Sequence, residues 1–167
     1  MEMAMGKEEE YQMMCMALQN ENRHYERFKI QSIVAIDEKF YFDISASELG
    51  VIKLNPNPTF TTIQVKTLKV SRNCWELAFP HLVVESRGRL YLVVYDRHCI
   101  RDMCLFKMDF SRLEWCSVDR LYDQIFFVGK LHFTASYCAR QLGLKQGNIY
   151  YQEVAETMYV SFLGDET

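Results

Sequence analysis

A strand, a glycine turn and a second strand follow one another directly in the stretch LVVESRGRLYLVV, residues 82–94. The apolar run Leu82–Val84 has the composition of a buried strand, and Leu90–Val94 has it again. Gly88 stands between them, where a tight hairpin needs a backbone conformation that side chains disfavour. The stretch therefore predicts an antiparallel β-hairpin with no helix between its strands.

The same design recurs on both sides of this stretch. Aromatic-rich strands open at Lys39, Arg89 and Asn148, and each is followed by a polar turn and a second strand. Trp75 and Trp115 begin a second, overlapping repeat of shorter period. These spacings lie in or near the range of about 40–50 residues that is typical of four-stranded propeller blades, which bury their apolar faces only by stacking on one another. We therefore expect an all-β chain of antiparallel, kelch-like blades.

The chain length sets the number of blades. At about 45 residues per blade, 167 residues supply about three to four blades, whereas closed propellers have 4–8. The sequence therefore predicts a partial, incomplete β-propeller. Such an arc leaves unpaired strand edges, so self-association through open sheet edges is expected. The alternatives are an arc that closes as an unusually small ring, an arc that dimerises, and a truncated paralogue without function.

The segment 1–27 differs in composition from the rest of the chain. It is rich in Met, Glu, Gln and Asn, and Met13, Met14 and Leu18 contribute to a short apolar stripe at helical spacing. We expect residues 1–27 to form an N-terminal arm that is either helical or disordered. Residues 28–167 are then the partial propeller domain.

Composition excludes several classes of protein. The 19 Lys and Arg residues against 22 Asp and Glu residues give a net charge of −3, which lacks the basic excess that non-specific nucleic-acid binding requires. No run approaches the ~18 consecutive apolar residues of a membrane-spanning helix. The acidic start at Glu8–Glu10 is unlike a secretory or organelle-targeting signal. We expect a cytoplasmic or nuclear protein with six reduced cysteines and no nucleic-acid or membrane partner.

Residue patterns that would support catalysis or metal binding are weak. His98, Cys99 and Cys104 lack the second Cys or His pair that a zinc site needs, and no glycine-rich loop could hold a phosphate. A nucleophile on a strained turn is equally missing. We therefore expect no enzyme, no metal and no cofactor. The alternative, a small Cys/His-centred enzyme or metal-binding protein, would use these three residues and His132.

Aromatic side chains near predicted turns are the remaining functional candidates. Exposed aromatic clusters bind protein partners well, although packing between blades is an alternative use of the same rings. The predicted partner-binding residues are Tyr122, Phe126, Phe127 and Tyr137.

Five elements of the sequence, in order, resemble a large plant family: the F-box-associated domain of unknown function, also called the KIB-type β-propeller. The first element is residues 38–42, which correspond to GKFYA in the family's pattern. The others are residues 82–90 (LVES-x-G-x-L), 105–109 with 115 (VFKLD…W), 124–129 (ALFLG), and 133–136 with 147–151 (FSVSA…GNCIYF). Glu38 stands where the family usually has a glycine. The resemblance covers roughly residues 28–165.

The resemblance implies a non-enzymatic protein-interaction module. In the family, an F-box near the N-terminus docks on a ubiquitin-ligase adaptor, and the propeller holds a protein substrate on its loops. The first proline here is Pro56, so the Leu-Pro opening of an F-box cannot precede it, and the matched strands look like the C-terminal part of a propeller only. We therefore expect a truncated relative with an unknown protein partner and no direct contact with the ligase adaptor.

Overall fold

The computed structural model describes residues 15–19, 25–30, 32–45, 47–66, 81–95, 103–129, 133–152 and 157–163. Its strands are β1 Cys15–Gln19, β2 Tyr25–Lys29, β3 Ile33–Ile36, β4 Lys39–Ser45, β5 Glu48–Lys53, β6 Thr59–Gln64, β7 His81–Ser86, β8 Arg89–Tyr95, β9 Met103–Asp109, β10 Glu114–Ser117, β11 Gln124–Gly129, β12 Phe133–Cys138, β13 Asn148–Gln152 and β14 Met158–Phe162. A short helix, α1, spans Ala139–Leu142. No helix within these ranges is long and apolar enough to cross a membrane.

The strands form three four-stranded sheets and one separate pair, β1 with β2. Sheet 1 has the order β3-β4-β5-β6, sheet 2 the order β7-β8-β9-β10, and sheet 3 the order β12-β11-β13-β14. The first strands of the three sheets are β3, β7 and β12. They lie side by side, with β7 in contact with both β3 and β12. Four-stranded sheets that stack with their inner edge strands together are the arrangement of propeller blades. The predicted all-β partial propeller is therefore confirmed.

Two-residue turns join the first two strands of sheets 1 and 2. The turn in sheet 2 consists of Arg87 (φ 53°) and Gly88 (φ 71°), and the turn in sheet 1 consists of Asp37 (φ 46°) and Glu38 (φ 62°). Two consecutive residues with positive φ give a turn whose twist matches that of the paired strands. The hairpin of sheet 2 lies where the sequence predicts it.

Alternation along the strands gives sheet 2 two buried faces. Leu92 of β8 lies in a buried cluster with Val51 of sheet 1. Its neighbour Val93 points to the opposite face and lies in a second buried cluster with Phe126 and Ile149 of sheet 3. Because successive side chains of a strand point to opposite faces, each face of sheet 2 is covered by one neighbouring sheet. The three sheets therefore stack in chain order.

Sheet 3 differs from the antiparallel meander that the sequence predicts. β11 and β12 form a hairpin, but β13 pairs on the other side of β11 and runs parallel to it, with Ile149 opposite Phe126. The chain reaches β13 through α1, which ends at the left-handed Gly143 (φ 65°). The expectation of antiparallel pairing throughout is wrong here, because β12 and α1 together form the crossover that a parallel pair requires.

Residues 15–29 contain strands where a helical or disordered arm is predicted. β1 and β2 pair in antiparallel register, with Cys15 opposite Lys29. The expectation of a helix or of disorder is therefore wrong for β1, and β2 crosses the predicted boundary between residues 27 and 28. Met16 and Leu18 fit the two-residue period of a strand as well as they fit a short helical stripe, which explains the error. Residues 1–14 lie outside the described part of the chain.

Candidate functional site

The four predicted partner-binding aromatics lie in different environments. Phe126 is completely buried and packs edge-on against Tyr91, with ring centroids 5.2 Å apart. It belongs to the core between sheets 2 and 3, so the expectation that it contacts a partner is wrong. Phe127 and Tyr137 lie on the opposite face of sheet 3, and Tyr122 lies in the loop before β11.

Phe127 and Tyr137 belong to the face of sheet 3 that points away from sheet 2. The ring of Phe127 stacks on that of Tyr150 with centroids 5.0 Å apart, and it meets Tyr137 edge-on at 5.9 Å. Strand pairing places Val160 opposite Tyr150 on the same face. We call this surface the outer aromatic face. Its large side chains are Phe127, Phe133, Tyr137, Tyr150, Met158 and Val160.

The outer aromatic face is uncharged, and it is exposed at its two edge strands, β12 and β14. About half of the surface of four of its side chains is exposed: Phe133 (51%), Tyr137 (48%), Met158 (53%) and Val160 (51%). The other described positions of the face are Ile125, Gly129, Ala135, Asn148 and Gln152. Of these, Ile125, Gly129 and Asn148 are buried in the middle strands β11 and β13. None of these described positions carries a charge. Exposed apolar side chains grouped on one face of a sheet make that face a candidate interaction surface.

Tyr122 stands out from a loop whose neighbouring residues are fixed. Its backbone lies in the left-handed region (φ 53°), which is uncommon for a bulky residue, and its side chain is 78% exposed. On one side, Leu121 is buried in the core between sheets 2 and 3. On the other side, the carbonyl of Asp123 accepts a hydrogen bond from the N–H of Ala139 at 2.7 Å. The aromatic ring is therefore presented to solvent from a rigid base.

The connection from β12 to β13 lies at the same end of sheet 3 as Tyr122. The N–H of Gly147 donates to the carbonyl of Gln124 at 3.1 Å, which joins this connection to the start of β11. Arg140, Leu142 and Leu144 of the connection are exposed. We call Tyr122, Arg140, Leu142 and Leu144 the loop surface. Tyr and Arg are the residue types enriched among side chains that dominate protein binding.

Polar contacts hold the loop of Tyr122 against the β7–β8 turn. Arg87 forms an ion pair with Asp123 at 2.6 Å. The side-chain amide of Gln124 is oriented with its oxygen toward Arg87. That oxygen accepts a hydrogen bond from Nη2 of Arg87 at 2.7 Å, and the amide nitrogen donates to Oγ of Ser86 at 3.0 Å. The hydrogen bond from Arg87 lowers the pKa of the Asp123 carboxyl and raises the pKa of Arg87. Sheets 2 and 3 are therefore joined by charge as well as by their shared core.

A sequence model of the KIB1-4 beta-propeller family matches residues 3–165. The chain belongs to this family. The match begins earlier than the resemblance noted in the sequence, at residue 3 instead of residue 28, and so includes β1 and β2. No curated protein and no solved structure matches the chain. Membership in a β-propeller family indicates a protein-interaction module.

The alternative Cys/His centre of this KIB1-4 beta-propeller stays a prediction. His98, Cys99 and His132 lie outside the described residues. Cys104 is described, and it packs against the core between sheets 1 and 2. In the described part of the chain, no group of three or more His, Cys, Asp or Glu side chains is placed to hold a metal ion.

Sequence reasoning missed most of the outer aromatic face. Phe133 and Tyr137 are alternate residues of β12, and Met158 and Val160 are alternate residues of β14, so the strand period was available as a signal. The two-residue period does not show which of the two alternating sets of side chains points away from sheet 2. That assignment depends on the strand order of sheet 3, which places β11 between β12 and β13.

Proposed function

We propose that this KIB1-4 beta-propeller is a non-enzymatic protein-interaction module that holds a partner protein on its loop surface. The observation that carries the proposal is Tyr122, an exposed aromatic ring on a loop whose neighbouring residues are fixed. By resemblance, the partner takes the position of the substrate that plant F-box propellers hold on their loops. No catalytic step is part of the proposal.

The fixed position of Tyr122 favours binding for an energetic reason. Ordering a mobile side chain at an interface costs about 0.5–1.5 kcal/mol, and a mobile loop costs more. Leu121 and Asp123 hold this loop before any partner arrives, so the cost of ordering the loop is absent and only that of the side chain remains. The ring of Tyr122 also offers an apolar body and a hydroxyl tip, which suits a partner pocket that is apolar inside and polar at its rim.

The ubiquitin-ligase adaptor is not a proposed partner of this domain, because the propeller family accounts for residues 3–165. The proposed partner is instead a protein of the kind that family members with an F-box bind as a substrate. We also propose residence in the cytoplasm or nucleus, and no role for nucleic acid or membrane. The net charge of −3 supports the exclusion of nucleic acid.

Site-specific photo-crosslinking tests the loop surface. The photo-reactive residue p-benzoylphenylalanine replaces Tyr122 in one variant and Leu54 in a matched control, because Leu54 is 54% exposed in the loop between β5 and β6. Each purified variant is irradiated in extract from the source organism, and its adducts are identified by mass spectrometry. We expect a protein adduct that forms at position 122 and not at position 54.

Affinity for the captured protein then tests the role of the ring. Tyr122→Ala is expected to weaken binding at least tenfold, which corresponds to about 1.4 kcal/mol or more. Leu54→Ala is expected to leave the dissociation constant unchanged. Identical adducts at both positions, or an affinity that Tyr122→Ala does not alter, would reject the loop surface as the binding site.

A further inference from the structure

We propose that the loop surface, together with the neighbouring Arg120, binds a short acidic segment of its partner protein. This inference rests on the proposed function, and it adds the chemical class of the segment that the site takes. Carboxylates of the segment contact Arg120 and Arg140. An apolar side chain of the segment packs against Tyr122, Leu142 and Leu144.

The two connections that carry the loop surface, residues 118–123 and 139–147, have an excess of positive charge. Their charged residues are Asp119, Arg120, Asp123, Arg140 and Lys145. Asp123 is neutralised by its ion pair with Arg87. Of the other four residues, three are basic and one is acidic, which leaves a local charge of +2 on a chain whose net charge is −3. Because complementary charge across an interface selects the partner, this local sign favours an acidic segment.

The two arginines of the site are available to a partner. Two other arginines, Arg87 and Arg112, are held in ion pairs with carboxylates of this chain. Arg120 and Arg140 are exposed, and neither forms an ion pair with a residue that the structure describes. A planar guanidinium can donate two parallel hydrogen bonds to one carboxylate. Each of these two side chains can therefore take a carboxylate of the partner.

One backbone hydrogen bond brings the side chains of the site close together. The N–H of Ala139 donates to the carbonyl of Asp123 at 2.7 Å. Tyr122 and Arg140 are the next residues along the chain from these two, so their Cα atoms lie within about 14 Å of each other. Arg120 is two residues from Tyr122, at most about 7 Å away. An extended segment of about seven residues is therefore long enough to contact all three side chains.

The apolar part of the site lies on a fixed backbone. Leu142 and Leu144 are 48% and 36% exposed. At the end of α1, the N–H of Gly143 donates to the carbonyl of Arg140 at 3.3 Å, and the N–H of Leu144 donates to the carbonyl of Ala139 at 3.0 Å. These bonds close the last turn of the helix around the left-handed Gly143. An apolar contact with charged groups at its rim is the usual anatomy of a protein interface.

The same features favour a protein segment over a nucleic acid. Proteins that bind nucleic acid tightly neutralise many phosphates, about six to ten in well-studied cases. The loop surface and its surroundings have an excess of only two positive charges, and Asp119 lies directly beside Arg120. A peptide offers a few carboxylates and an aliphatic or aromatic side chain, which suits two arginines beside Leu142 and Leu144.

Selection of random peptides on the intact chain tests the inference without knowledge of the natural partner. A phage library displays peptides of about 12 residues, which exceeds the length needed to span the site. We expect the enriched peptides to carry a net negative charge and at least one aromatic or large aliphatic residue. The enriched peptide that binds most tightly is synthesised with a fluorophore, and fluorescence anisotropy gives its dissociation constant.

Charge reversal locates the bound peptide on the chain. Arg120→Glu and Arg140→Glu are each expected to weaken binding at least about fivefold, because each places a negative charge against the peptide. Arg140→Lys keeps the positive charge and is expected to bind within about twofold of wild type. Lys53→Glu makes the same charge change at an exposed position of sheet 1, and it is expected to leave the dissociation constant unchanged.

Salt dependence tests the inference on the unsubstituted chain. Raising the salt concentration from about 0.1 M to about 1 M shortens the Debye length from about 10 Å to about 3 Å. We expect this change to weaken binding of the peptide at least about fivefold in wild type. Arg140→Glu is expected to show a smaller effect of salt, because one of the screened attractions is already gone.

Several results would overturn the inference. One is the enrichment of no peptide, or of neutral or basic peptides. A second is an acidic peptide whose affinity neither arginine reversal alters, or which Lys53→Glu weakens equally. A third is an affinity that does not change with salt. A fourth is a fluorescent oligouridylate of about 20 nucleotides that binds the chain more tightly than the selected peptide, which would indicate a nucleic-acid partner.

Failure of this inference is distinguishable from failure of the proposed function. A captured partner that depends on Tyr122 and is unaffected by Arg120→Glu and Arg140→Glu would reject the acidic segment and retain the loop surface. An acidic peptide that depends on the two arginines, with an affinity that Tyr122→Ala does not alter, would support the acidic segment. The same result would reject the role of the Tyr122 ring.

Discussion

Gly50 lies directly opposite Phe42 in the β4–β5 pair, and the ring of Phe42 covers it. A methyl group at position 50 would meet the ring at Cζ, at Cε2 (2.5 Å) and at Cε1 (2.8 Å). Phe42 is completely buried and stacks on Phe60 with centroids 6.0 Å apart. The ring therefore occupies the space that the absence of a side chain at position 50 leaves open, and the two residues form one packing unit.

The first prediction concerns this unit. Gly50→Ala is expected to destabilise the protein by about 1–3 kcal/mol, because the added methyl overpacks a filled site. Phe42→Leu is also expected to destabilise it, because it leaves a cavity. In the double variant, the smaller side chain at position 42 makes room for the methyl, so the combined cost falls short of the sum by about 1 kcal/mol or more. Urea denaturation measures all three variants, and strictly additive costs would contradict the contact.

The second prediction concerns the β3–β4 turn. Glu38 holds φ at 62°, a conformation that costs most residues roughly 1 kcal/mol and glycine almost nothing. Glu38→Gly is therefore expected to raise the free energy of unfolding by about 0.5–1 kcal/mol. Glu38→Ala removes the same charge and keeps the Cβ, so it is expected to give no gain. Equal stabilisation by both variants would show that charge, and not backbone conformation, limits stability here.

The third prediction concerns pH. The hydrogen bond from Arg87 lowers the pKa of Asp123 below its ordinary value of 3.8 in the folded protein. Because the folded pKa is the lower one, the stabilisation is complete above the unfolded pKa and is lost as the pH falls through the folded value. Asp123→Asn is expected to be less stable than wild type at pH 6–7, and the difference is expected to shrink below about pH 4.

The control for this prediction is Arg87→Gln, which removes the partner that lowers the Asp123 pKa. We expect its stability to approach that of wild type as the pH falls below about 4, in parallel with Asp123→Asn. Urea denaturation at a series of pH values measures the three proteins. A difference between wild type and Asp123→Asn that stays constant from pH 7 to pH 2 would contradict the linkage.

Local sequence signals predict the hairpins and the middle of the stack. The turn at residues 87–88 and the strands that open at Lys39, Arg89 and Asn148 depend on a few adjacent residues, and the structure has them in place. The continuous apolar run of β8 is typical of a strand with both faces buried, and both faces of sheet 2 are covered. These features follow from short-range chemistry, which is why sequence alone reveals them.

Pairing between distant segments is not visible in the same way. Nothing in residues 148–152 indicates that β13 pairs in parallel with β11, since that pairing depends on where β12 and α1 carry the chain. The run Ile125–Val128 is uniformly apolar, so it has no alternation to show that Phe126 faces the core and Phe127 the outer aromatic face. The sequence therefore predicts which aromatic residues are candidates for binding. The strand order is needed to show which of these aromatics are buried and which are exposed.

The central claim is that sheet 3 packs on sheet 2 through one face, while its other face exposes the side chains of the two edge strands. Phe126 and Phe127 are adjacent, chemically identical and on opposite faces, so their truncation tests this claim most directly. In urea denaturation, we expect a cooperative transition. Phe126→Ala is expected to cost about 3–5 kcal/mol and Phe127→Ala about 1–2 kcal/mol. Phe126→Leu is likewise expected to cost more stability than Phe127→Leu, and both costs are expected to be smaller than those of the alanine variants. Equal costs at the two positions, a larger cost at Phe127, or a featureless unfolding curve would contradict the account.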